Sequence, residues 1–152
     1  MITDTLRQLF ARDLNQLQQE IELYEAEPLI WHVEKGIANS AGNLCLHLVG
    51  NLTTYISAEL GGVPYARDRD AEFSLKGIAR AELIRQITKT RDEVDQALSH
   101  LPASALPAEY PLQVLEARTT TEYLLIHLAT HLTYHLGQVN YHRRLLDASG
   151  NS

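Results

Sequence analysis

Apolar residues recur at spacings of three and four in four stretches of about 20 residues each, and most of the prolines and glycines fall between them. That period is the signature of helices with one buried stripe. Ile2, Leu6, Leu9, Phe10, Leu14, Leu17, Ile21 and Tyr24 predict a helix over about 3–24, which Pro28 prevents from continuing. Leu44, Leu48, Leu52, Tyr55 and Ile56 predict a second over about 40–60. Asn39 or Ser40 is its N-cap, and Gly61-Gly62 with Pro64 stops it. Leu83, Ile84, Ile87, Val94, Ala97, Leu98 and Leu101 predict a third over about 79–100. A fourth covers about 120–146, and Thr119-x-x-Glu122 before it reads as a capping box. The expected fold is therefore all-α, a four-helix bundle formed by residues 1–147, with 148–152 as a frayed tail.

Two connections exceed ordinary loop length, 61–77 and 101–118, and long connections often carry function. The first contains Arg67-Asp68-Arg69-Asp70, expected to be a solvated, self-paired run. Arg67 and Arg69 are also candidates for binding a carboxylate of a substrate. In the second, Tyr110 to Val114 is expected to be a short extended piece.

Composition narrows the function classes. The chain has 152 residues, a single cysteine, 13 Lys+Arg against 19 Asp+Glu and a formal net charge of −6. One cysteine excludes an internal disulfide framework and a cysteine-rich zinc site. The acidic balance argues against nucleic acid and anionic membrane as partners. No apolar run reaches the ~18 residues of a transmembrane helix, and Met1 to Leu14 lacks the pattern of a signal peptide. A reduced, soluble, cytoplasmic protein acting on a small molecule is the expectation.

The unusual number is seven histidines, five of them after residue 99. On the fourth helix, taking His127 as zero, His131 falls at about 40° and His135 at about 80°, beside the aliphatic stripe. His131 and His135 are one turn apart on one face, a pair that can hold one ion. His127 lies about 12 Å from His135 along the axis, and His142 about 10 Å beyond it, too far to join the pair. A third ligand then has to come from another helix. His47 borders the apolar stripe of the second helix and fits, with Asn51 one turn on as a candidate to orient a ligand or a bound water. Three histidines and an open position suit a catalytic ion that lowers the pKa of a bound water or thiol. Cys45 lies about 200° round the helix from His47 and is expected to pack as a small apolar residue. His32, His100 and His142 are expected to be surface or structural, and Trp31 and the tyrosines to supply packing and pocket walls.

Two blocks carry a family likeness. The first is Asn39-Ser-x-Gly-Asn-Leu-x-Leu-His47-Leu-x-Gly-Asn51, continuing through Gly61-Gly62 to Arg67-Asp-Arg-Asp-x-Glu72-Phe73. The second is His131-Leu-x-Tyr-His135-x-Gly137-Gln138-Val139. With these the chain resembles the DinB-like metal-binding family, also called the DinB/YfiT-like metalloenzymes, and its first block looks like a subgroup with no assigned activity. The resemblance implies an up-down-down-up four-helix bundle, a homodimer, and a three-histidine site for a divalent metal, zinc or nickel foremost. Carried over, the ligands are His47, His131 and His135. Where the family commonly has an arginine after the second motif histidine, this chain has Leu136.

Relatives in that family include transferases and isomerases that use a low-molecular-weight thiol such as bacillithiol or mycothiol. The leading expectation is therefore a metal-dependent, thiol-dependent S-transferase acting on an electrophilic small molecule. The alternatives are a metal-dependent hydrolase, for which Glu59 is the candidate base by helical phase, and a non-catalytic metal-binding or dimerisation module.

Overall fold

A computed structural model describes residues 1–147, and the expected frayed tail, 148–152, lies outside the described residues. The elements are α1 (Ile2–Leu23), a 3₁₀ turn (Glu27–Trp31), α2 (Ala41–Leu52) running into a π-helical turn (Thr53–Ala58), α3 (Arg69–Ser74), α4 (Arg80–Ser99), a 3₁₀ turn (Ala103–Ala105) and α5 (Thr121–Leu146). Among the described residues the fold is all-helical. The expected extended piece at 110–114 is absent as a strand, and the chain there forms only an isolated antiparallel bridge between Glu109 and Thr120.

The predicted stripes meet in one core. Helix α1 packs against α4 and α5, and α2 packs against α3, α4 and α5. Phe10, Leu14, Leu17, Leu48, Leu52, Leu83, Val94, Leu128, Leu132 and Val139 are buried together where these helices face one another. Each such side chain contributes about 1.5–3 kcal/mol through removal from water. Polar contacts fix the register of α1 on α5. Glu20, buried in α1, accepts from Arg143 Nε and Asn140 Nδ2, both at 2.8 Å. Farther along, the Tyr24 hydroxyl meets His142 Nδ1, while His142 Nε2 lies 2.8 Å from the His32 carbonyl.

The starts of α2 and α5 are set by capping side chains, the second one residue later than expected, whereas α1 and α4 begin without one. Ser40 caps α2 by accepting from the Asn43 amide at 3.1 Å. The expected capping box at Thr119 and Glu122 does not form. The Thr119 carbonyl instead accepts from the Tyr110 amide beside the Glu109–Thr120 bridge, and Thr120 is the cap, its side chain accepting from the Tyr123 amide.

The larger difference lies in 61–77. The Arg67–Asp70 run is not a self-paired loop. Asp68 accepts from the Ala71 amide and starts α3, a helix of six residues, too short to show a period in the sequence. Asn43 then ties this short helix to α2, donating from Nδ2 to the carbonyls of Glu72 (2.9 Å) and Leu75 (2.8 Å). Gly62, at φ 72°, lets the chain leave the end of α2 in a left-handed conformation. No helix among the described residues is long and apolar enough to cross a membrane.

Candidate metal centre

His47 projects from the middle of α2, and His131 and His135 from successive turns of α5. The packing of α2 on α5 brings the three rings together. His47 Nε2 lies 3.3 Å from His131 Nε2, and His135 Nε2 lies 3.1 Å from the same atom. The three candidate ligand atoms are all within 4.8 Å of one another. His47 is 7% exposed, and the other two are half-buried.

The outer nitrogens decide what the inner ones can do. His47 Nδ1 sits 3.1 Å from Oε1 of Glu72, a carboxylate, so Nδ1 carries the proton and Nε2 turns a lone pair inward. His135 Nδ1 donates to Oε1 of Gln138 at 2.7 Å, which leaves its Nε2 in the same state. His131 Nε2 faces both lone pairs, and a single N–H can serve only one of them. Its Nδ1 is buried without a hydrogen-bond partner. Such a convergence of lone pairs is unfavourable between neutral imidazoles and favourable around a cation, so the donor set fits a divalent metal ion. Imidazole nitrogens suit zinc and nickel.

Electrostatics favour the neutral forms of His131 and His135. Burial, then the neighbouring His135, His47, His127 and Arg67, pushes His131 down to about 4. Burial also lowers His135, against the opposing hydrogen bond to Gln138 and with a further push from His47. Glu72 goes the other way from a simple buried acid. Burial raises its pKa, but hydrogen bonds from His47 and Arg67 outweigh that and hold it below the usual carboxylate range.

Glu72 is the residue that sequence reasoning left without a role. It comes from α3, is 6% exposed, and receives Arg67 through two contacts, Nε to Oε2 at 2.8 Å and Nη2 to Oε1 at 3.0 Å. Its only signal in the sequence is its place in the first block, five residues after Arg67. Gln138, in the second block, was likewise given no role. The Phe73 ring, half-buried, packs with its centroid 4.9 Å from that of the His47 ring.

The other candidates separate. Asn51 is buried near the end of α2, and its Oδ1 has no hydrogen-bond partner. Arg67 serves Glu72, and Arg69 stacks its guanidinium over Phe73 at 5.6 Å. Glu59 is exposed and outside the three-histidine group. The His127 ring stacks on His131 at 6.2 Å but adds no ligand atom to the group. Cys45 is buried, and burial pushes its thiol up to about 12, consistent with a packing role. His142 is buried and structural, while His32 and His100 are exposed. A cavity of about 580 Å³ lies against the centre, with His135 and Gln138 in its wall.

Fold and site together define an all-helical protein with a three-histidine centre able to hold a metal ion. The sequence matches the family described as "protein of unknown function (DUF1572)" over residues 2–150, and the chain belongs to that family. No curated protein matches it.

Proposed function

We propose that the chain is a DinB-like protein, a four-helix bundle of up-down-down-up topology, and a divalent-metal-dependent S-transferase. In this reading a low-molecular-weight thiol reacts with an electrophilic small molecule, and the protein works as a cytoplasmic homodimer. The observation that carries it is the convergence of His47, His131 and His135 beside an acid that is already fully engaged. These three histidines hold zinc or nickel. The chemistry such an ion supplies is Lewis acidity that lowers the pKa of a thiol. The chain's own residues set the geometry: Glu72 orients His47, Gln138 orients His135, and the Phe73 ring packs against His47. In the overall reaction the thiol loses its proton to solvent, a sulfur–carbon bond forms, and the leaving group departs with the bonding pair.

A hydrolase needs a free base beside the reacting water. Glu72 is paired with Arg67 and His47 and held ionised and occupied, and Glu59 is outside the group. That favours transfer to a thiol, which needs no protein base once ionised. The cavity at His135 counts against a purely structural module.

The test is to load the protein with zinc or nickel and add bacillithiol, mycothiol or glutathione with 1-chloro-2,4-dinitrobenzene. Metal-dependent conjugation, followed by absorbance, is the expected result. No metal-dependent conjugation with any of the three thiols overturns the reading.

A further inference from the structure

The cavity against the histidine centre has a chemistry of its own. Its volume, about 580 Å³, falls in the range of small-molecule sites, about 300–1,000 Å³. Ile37 and Leu44 line it from the chain before and within α2, and Tyr134 and Tyr141 line it from α5. Tyr134 and Tyr141 are 65% and 63% exposed, a costly placement for two aromatic side chains only seven residues apart on one helix. The lining residues 34–38, on the wall's other side, are all exposed, Ile37 at 45%. The two ionised side chains in the wall, Glu34 and Lys35, cancel in charge.

The cavity reaches the centre through His135 and Gln138. Gln138 uses its Oε1 to hold His135 Nδ1, and its amide nitrogen has no partner among the described residues. Gln138, an exposed residue of the wall, therefore keeps an amide N–H available for a ligand, next to a candidate metal ligand and on the same face as the two tyrosines. A polar, multiply charged thiol has no net cation to meet there. A neutral molecule with a ring and an acceptor oxygen matches the two tyrosines and the Gln138 amide.

We propose that this cavity is the binding site for a neutral, ring-bearing small molecule whose carbonyl-type oxygen accepts from Gln138. It would be the electrophilic substrate rather than the thiol, an assignment that rests on the transferase reading for the occupant's role but not for its binding.

The probe is prodan, an uncharged naphthalene ketone whose emission moves to the blue in apolar surroundings. It is titrated against the full chain, zinc-loaded and after EDTA treatment, alongside a separate measurement of zinc uptake. Saturable blue-shifted binding near one probe per chain is expected in both forms, with glutathione failing to displace it. Tyr134→Ala and Tyr141→Ala, both at exposed positions, are expected to weaken binding about tenfold, and Gln138→Leu severalfold. Tyr123→Ala, 60% exposed on the same helix but outside the cavity wall, is expected to leave it unchanged.

No saturable shift, equal weakening by Tyr123→Ala, or displacement by glutathione overturns the proposal. So does loss of binding as rising protein concentration produces a dimer, since a second copy would then be the occupant of this face. Zinc uptake without probe binding overturns this proposal alone. Probe binding by a chain that takes up no zinc supports it while refuting the metal reading.

Discussion

Gly50 and Glu72 touch where α2 meets α3: a methyl group on Gly50 would occupy the space that Oε2 of Glu72 fills. The missing side chain is what lets a buried carboxylate reach His47 across the helix surface. Neither residue is explained without the other.

Gly50→Ala is therefore expected to push Glu72 off His47 and to lower affinity for zinc by about 10–100-fold, the usual cost of losing the outer partner of a ligating histidine. Glu72→Gln is expected to do the same while keeping the helices packed. Arg67→Ala leaves the Glu72 charge buried with a weaker partner, and is expected to destabilise the protein by about 3 kcal/mol. Zinc titration against a chelating indicator and urea denaturation separate the two effects. Unchanged zinc affinity in both Gly50→Ala and Glu72→Gln would contradict the role given to Glu72.

His142 ties α5 to Tyr24, just past the end of α1, and to the backbone at His32. Burial lowers its pKa, the His32 carbonyl hydrogen bond opposes this, and the His32 charge adds to it. The unfolded chain then binds a proton at this group more readily than the folded one. The neutral form's stabilisation is present above the ordinary histidine pKa, near 6.5, and is lost as pH falls through and below that value. His142→Ala is expected to cost about 1–3 kcal/mol, since it leaves the buried Tyr24 hydroxyl unpaired, and to flatten the fall in stability between pH 7 and 5. Denaturation midpoints at several pH values check this, and an unaltered pH slope in the variant would count against it.

Cys45 tests where the sulfur comes from. Its thiol is buried and shifted up to about 12, so the native protein is expected to react slowly or not at all with Ellman's reagent, and to release one equivalent after denaturation. Cys45→Ala is expected to retain metal binding. Rapid reaction of the native protein, or loss of metal in the variant, would give Cys45 a part in the site.

The four long helices were legible because a period of three and four over about 20 residues outweighs local ambiguity. The phase of His131 and His135 on α5 and of His47 on α2 was enough to select the three that now lie within 4.8 Å of one another. What stayed hidden depends on contacts between segments. Helix α3 has six residues and no period to read, and Glu72 meets His47 across 25 positions of chain. Arg67 looked like part of an alternating charged run, yet its partner is the buried acid rather than its neighbours. Gly42 and Gly50 are similar cases. Each removes a side chain that would collide with a specific group, Trp31 for the first and Glu72 for the second. The cavity was equally invisible, because it exists only where segment 34–39 is laid over α5.

The most direct test of the central claim is metal content by elemental analysis after loading with zinc or nickel. The wild-type protein is expected to hold about one ion per chain at the three-histidine centre. His47→Ala, His131→Ala and His135→Ala should each lose most of it, and His127→Ala, whose ring only stacks on His131, should keep it. Equal metal content in all four variants, or loss in His127→Ala matching the others, would contradict the assignment of His47, His131 and His135 as the ligands.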